Sequence, residues 1–265
     1  MQLVDSQIHL FAPGGEEFAS RMLQVLVPPE QVVQEMDGAG VSRAYLVPGN
    51  AAANAACVEA AQRWPDRFRV MGIIGLDKPE SRTLLADWAA SGFLGARLTF
   101  PPYRKVSWLD DGTANWFWPE ANRLKLPVMI WAPNQAQALA RLAREWPDIR
   151  FVIDHLNLFV EDKGDTVTRA VDALLPLAEH PNIAVKVSAL PAHSGEPFPF
   201  RDMHPHIKRV VDAFGADRAF WGTDLTRRSC TYNEAIAMFT QELGFLREDE
   251  LERVMGAAAL RWIGW

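Results

Sequence analysis

Along this chain, apolar runs rich in Val, Ile and Phe alternate with stretches whose apolar residues recur every three to four positions. The runs LVDSQIHL, SRAYLVP, RVMGIIG, LGARLTF, PVMIWA, RFVIDHL, IAVKVSAL and RAFWGTD read as eight strands. Between them AACVEAAQRW, SRTLLADWAA, AQALARLAREW, VTRAVDALLPLAEH and HIKRVVDAFG carry helical spacing and read as crossover helices. Strand and helix in strict alternation predict a parallel sheet, and eight repeats predict an α/β fold closed into a (β/α)8 TIM-type barrel. Turn signals such as WPDRF, WPDIR, HPNIA and FGADR stop the helices before the next strand. The final EDELERVMGAAALRWIGW predicts an extra C-terminal helix packed outside the barrel. No linker, low-complexity tract or charge block divides the chain, so residues 1–265 are expected to form a single domain. An open doubly wound sheet is the alternative, but no Gly-x-Gly-x-x-Gly follows the first strand.

Composition narrows the function classes. A chain of 265 residues suits one barrel of ~250 residues. With 49% hydrophobic and 23% charged residues it is globular, and no segment is long and apolar enough to cross a bilayer. The start MQLVDSQIHL lacks the features of an export signal, so a cytoplasmic location is expected. Cys57 and Cys230 lie far apart and outside any Cys-x-x-Cys spacing, which predicts two reduced thiols. A net charge of −6 disfavours nucleic acid as a partner, while a local basic pocket for an anionic small molecule stays open. Self-association through the apolar tail LRWIGW is likewise open.

In a barrel the chemistry sits at the C-terminal ends of the strands. The first strand ends in Gln7 and His9, which share one side of the strand; the fifth ends in Trp131, the sixth in His155 and the eighth in Asp224. A lone histidine is more often a satisfied core or surface group. Three ionisable residues, His9, His155 and Asp224, at the one functional end of the fold are harder to assign to packing.

The segments DSQIHLF, GARLTF, LPVMI, FVIDHLN, VKVSAL and VVDAFGADRAFWGTD resemble, in order and over nearly the whole chain, the amidohydrolase superfamily in its amidohydrolase 2 branch. That branch holds zinc-dependent decarboxylases and lactonases acting on sugar lactones or on 2-pyrone-4,6-dicarboxylate. The resemblance implies a metal held by a His-x-His pair, a fifth-strand histidine and the eighth-strand aspartate, with the sixth-strand histidine activating substrate. This chain keeps His9, His155 and Asp224 but places Gln7 and Trp131 at the other two ligand positions. An indole N–H cannot ligate, and Gln7 offers only a neutral carbonyl, so zinc is disfavoured and a reaction without cofactor is expected. The pyrone dicarboxylate lactonase of the branch sets a metal-free precedent, although it retains the first-strand histidine pair.

Without a Lewis acid the substrate must be an activated ester or lactone. The expected function is therefore metal-independent lactone hydrolysis, with Asp224 as general base for water and His9 and His155 polarising the carbonyl. Gln7 would add an amide donor. Arg97, where the lactonases place a carboxylate-binding arginine, and Arg104 in the following loop are candidate anion contacts. Trp131 would wall a ring-shaped substrate. His193, in LPAHSGEPFPF, and Arg227 and Arg228, after Asp224, lie on the same face, whereas Trp221 should pack away from it. His204 and His206 form a second His-x-His, read as a surface loop before the seventh helix. Two alternatives stand beside lactone hydrolysis: a decarboxylase or other lyase acting on a carboxylated ring, and a non-catalytic ligand-binding barrel.

Overall fold

The structure, a computed structural model, describes residues 1–10, 28–100, 108–225 and 230–265. Eight parallel strands follow one another in chain order: β1 (Leu3–Leu10), β2 (Val41–Pro48), β3 (Phe68–Ile73), β4 (Gly95–Thr99), β5 (Pro127–Trp131), β6 (Arg150–Ile153), β7 (Ile183–Ser188) and β8 (Ala219–Gly222). Each is followed by an outer helix: α1 (Pro29–Ala39), α2 (Asn54–Arg63), α3 (Glu80–Ala86), α4 (Phe117–Arg123), α5 (Ala136–Glu145), α6 (Asp165–Leu174), α7 (His204–Phe214) and α8 (Tyr232–Ala237). This is the expected single-domain (β/α)8 barrel. Among the described residues no helix is long and apolar enough to cross a membrane.

Strand alternation divides the apolar side chains into two layers. Ile8, Leu46, Val70, Leu98, Val128, Phe151, Val185 and Trp221 point outward under the helices, where burial supplies most of the favourable folding free energy. Val4, Tyr45, Met71, Met129, Val152, Ala184 and Phe220 fill the interior. Trp221 packs in the outer layer, as its alternation predicts. Cys57 is buried in α2, and that burial pushes its thiol up to about 12, which keeps it inert.

Two details differ from the sequence reading. The C-terminal segment, α9 (Glu248–Glu252) and α10 (Ala258–Ile263), does not lie outside the wall: Ala258, Ala259 and Ile263 join the interior cluster and plug the N-terminal end of the barrel. The bend between the two helices falls at Gly256, where an added Cβ would meet Gln2 O at 2.7 Å and Val4 Cγ2 at 2.8 Å; only glycine lets the chain come so near β1. His204 and His206 lie in the first turn of α7, not in a loop, and His204 Nε2 donates to Pro199 O at 2.8 Å.

The seam between β8 and β1 carries a buried acid. Asp5 Oδ1 accepts from Gln7 N and Thr223 N, each at 3.0 Å, and Oδ2 accepts from Tyr232 Oη at 2.8 Å and from the Thr223 hydroxyl. Asp224 N donates to Gln7 O at 3.0 Å just above. Gly222 belongs to the same seam, since a Cβ there would stand 2.6 Å from Ser6 Oγ.

Burial raises the Asp5 carboxyl from 3.8 to about 6, with the donors from Thr223, Gln7 and Tyr232 pulling the other way. The folded chain therefore binds this proton more tightly than the unfolded chain. Stability from Asp5 should be complete below about pH 4 and be lost as pH rises through about 6, by roughly 3 kcal/mol. Urea unfolding of wild type and Asp5→Asn from pH 4 to 8 checks this: the wild-type stability minus the variant's should fall across that window, and a flat difference contradicts it.

Candidate active site

The backbone turns sharply where the site residues sit. His155, Leu156 and Asn157 follow β6 at φ of 52°, 52° and 58°, Ala189 follows β7 at 59°, and Asp224 follows β8 at 52°. Non-glycine residues held in this left-handed region cost free energy, and such strain concentrates at functional sites. Asn157 tolerates it best and is doubly anchored: its Oδ1 accepts from Ala132 N at 2.9 Å and its Nδ2 donates to Ala132 O at 2.7 Å. The end of β6 is thereby tied to that of β5, and His155 is turned inward.

Asp224, fully buried, lies between two imidazoles. His9 Nε2 is 3.0 Å from its Oδ1 and His155 Nε2 is 3.7 Å from its Oδ2. The first is a close ion-pair contact; the second leaves room for rearrangement. The outer ring nitrogens are fixed as well, His9 Nδ1 by Val47 O at 2.7 Å and His155 Nδ1 by Ser188 Oγ at 2.8 Å. A carbonyl only accepts, so His9 Nδ1 carries a proton.

Beneath this pair lies a residue that sequence reasoning missed. Lys186, wholly buried in β7, directs Nζ at Gln7 Oε1, at Asp154 Oδ1 (3.0 Å) and at Met129 Sδ (2.9 Å). Three acceptors meet the three N–H bonds of an ammonium. Burial lowers the Lys186 pKa against the pull of Asp154. Burial likewise opposes ionisation of Asp154, yet Lys186 and Arg97 outweigh it and hold the carboxyl below its ordinary range. Arg97 Nε is 3.1 Å from Asp154 Oδ2. The signal was present in the strings IAVKVSAL and RFVIDHL, where a lysine falls within an apolar barrel strand and an aspartate directly after one.

The other expected site residues are placed as follows. Gln7 is fully buried, and its Nε2 is 3.1 Å from His9 Nε2. Trp131 is half-buried at the end of β5; its indole N–H donates to Leu158 O at 2.7 Å, and Phe159 meets its ring edge-on. Arg97 is directed to Asp154, with its side chain 11% exposed. His193 closes a single helical turn, Leu190–His193, after β7; it is buried, and Nδ1 donates to Asp162 O at 3.0 Å. Arg104, Arg227 and Arg228 lie outside the described residues. Thus Gln7, His9, His155 and Asp224 come together, Arg97 joins them through Asp154 and Lys186, and His193 is held by the neighbouring loop.

A family model described as Amidohydrolase matches residues 4–265. An L-fucono-1,5-lactonase of Burkholderia ambifaria is 36% identical over 173 residues, which are 63% of this chain and 58% of that protein, less than two thirds of its length. A 4-sulfomuconolactone hydrolase of Rhizobium radiobacter is 25% identical over 229 residues, 83% of this chain and 74% of that one. Among solved structures, an amidohydrolase of Burkholderia multivorans with bound zinc shares the fold, with a TM-score of 0.84 at 18% identity over 99% of each chain.

Because Asn157 links the β5 and β6 ends at a backbone angle alanine tolerates poorly, Asn157→Ala should lower stability by about 2–4 kcal/mol. Denaturant unfolding measures this, and a loss below about 0.5 kcal/mol would contradict the anchoring role.

Proposed function

The chain belongs to the amidohydrolase family, and from that premise we propose that it hydrolyses a lactone or a similarly activated cyclic ester without a metal ion. The observation that carries this reading is the Asp224 carboxylate set between His9 Nε2 at 3.0 Å and His155 Nε2 at 3.7 Å, at the barrel end where catalytic groups collect. Kinship with two enzymes named for lactone hydrolysis supports the substrate class.

A family metal does not suit the donor set. Zinc takes three or four N, O or S donors. Trp131 has no lone pair to give and directs its N–H at Leu158 O, Gln7 Oε1 is engaged by the Lys186 ammonium, and His9 Nε2 already faces the Gln7 amide. Only two ordinary donors of the family's set of four are left, beside a positive charge.

In the proposed reaction a water held by Asp224 Oδ2 attacks the lactone carbonyl as that oxygen takes its proton. The carbonyl electron pair moves onto oxygen, and the His155 ring, braced by Ser188, donates to the oxyanion. Collapse restores the carbonyl and breaks the ring C–O bond; the leaving alkoxide recovers the proton from Asp224, giving a hydroxy acid. His9, fixed through Val47 O and Gln7, stands against the other oxygen of Asp224. This refines the expectation that both histidines polarise the carbonyl, because His9 Nε2 faces the carboxylate. Trp131 supplies a flat wall for a cyclic substrate, and Arg97 gives its rim a positive charge for an anionic one.

A panel containing L-fucono-1,5-lactone, D-glucono-1,5-lactone and dihydrocoumarin, followed by acid release, tests the reading. At least one member should be turned over at a rate unchanged by prolonged dialysis against a chelator, and Asp224→Asn should lower kcat/KM by about 10²–10⁴-fold. Loss of turnover on chelation with recovery on adding zinc would refute the metal-independent step. Release of carbon dioxide from a carboxylated ring, with the lactones inert, would favour a lyase instead.

A further inference from the structure

Lys186 has no part in the reaction just described, yet it is a wholly buried charge held by three neighbours. It is 0% exposed, in the middle of β7, and its Nζ reaches Gln7 across the barrel interior. An ammonium only donates, so the Gln7 atom it meets is the carbonyl oxygen; the other end of the amide is then an NH2 directed at His9 Nε2, 3.1 Å away. Lys186 therefore fixes which way Gln7 faces, and the Gln7 NH2 in turn braces the imidazole whose Nε2 lies 3.0 Å from Asp224 Oδ1. Asp154 and Arg97 continue the line on the far side, so that charges alternate from Arg97 through Asp154 and Lys186 to Asp224. In a low-dielectric interior such a line is held only if every member is paired.

We propose that Lys186 is a positioning residue that supplies, as a fixed ammonium, part of the positive charge that a divalent ion would bring to this end of the barrel, and that it also keeps such an ion out. The second half follows from Coulomb repulsion: a dication bound through His9 and Asp224 would lie beside the Gln7 side chain that already carries the ammonium. Substituting Gln7 alone would then not create a good metal site, even though it rebuilds the His-x-His pair.

The part of this inference that concerns rate rests on the lactone reading above; the part that concerns metal exclusion does not. Zinc chloride titrations by calorimetry compare Gln7→His with Gln7→His/Lys186→Met, with circular dichroism to verify folding. The double variant should bind zinc at least about 10-fold more tightly. Equal or weaker binding overturns the exclusion role. If the double variant does not fold with Asp154 left unpaired, adding Asp154→Asn gives the comparison, with the same direction expected because Nζ lies between Asp154 and Gln7. On whichever lactone the wild type turns over, Lys186→Met, or Lys186→Met/Asp154→Asn, should lower kcat about 10²-fold with KM changed less than about threefold. Unchanged kcat, or a change confined to KM, overturns the positioning role. If no lactone is turned over by the wild type, the proposed reaction fails while the zinc comparison still decides whether Lys186 repels a cation.

Discussion

Closing a parallel sheet on itself requires the last strand to meet the first, and in this protein that meeting is organised by one buried carboxylate. Asp5 accepts from two backbone amides and two hydroxyls drawn from β1, the turn after β8, and α8. Four donors offset much of the cost of burying the acid, and they tie β1 to the turn after β8 and to α8. Gln7 and His9 are two and four residues beyond Asp5 on β1, and Asp224 directly follows Thr223. The contact that closes the barrel is thus the one that sets His9 against Asp224.

Inside the closed barrel, charge is arranged in layers. The lower interior is apolar and plugged by Ala258, Ala259 and Ile263. Above it comes a level where Lys186 and Asp154 pair at 3.0 Å, and above that the His9, His155 and Asp224 group. A paired ammonium at mid-height lets a polar site sit over an apolar floor, since it meets Gln7 from below where a hydrophobic residue would leave the amide oxygen unsatisfied. The left-handed turns at His155, Ala189 and Asp224 then direct the chain away from the strand ends, so that the side chains converge instead of following the strands outward.

The alternation of apolar strands and amphipathic helices made the barrel legible before any coordinates, because period-2 and period-3.6 patterns are local and survive without knowledge of partners. His9, His155 and Asp224 were legible for a similar reason: strand ends are visible in the sequence, and in a barrel they share one face. Lys186, within an apolar strand, and Asp154, directly after one, are not recognisable from the sequence because their meaning lies in their pairing across the barrel. The place of the C-terminal helices is not legible in the same way, because an amphipathic pattern does not say whether its apolar face meets the wall or the floor.

The sequence by itself determined the fold class, and it carries Gln7 and Trp131 where the resemblance implies two histidine ligands. Only the tertiary structure decided what fills their place: an ammonium from β7 on the Gln7 oxygen, and an indole N–H turned to Leu158 O. It also decided that His9 serves Asp224 directly while Arg97 is directed at Asp154. The physical reason is that hydrogen bonds and ion pairs in the interior join residues far apart in sequence, 57 positions for Arg97 with Asp154 and 179 for Lys186 with Gln7, and no local pattern encodes which of several buried polar groups will face one another.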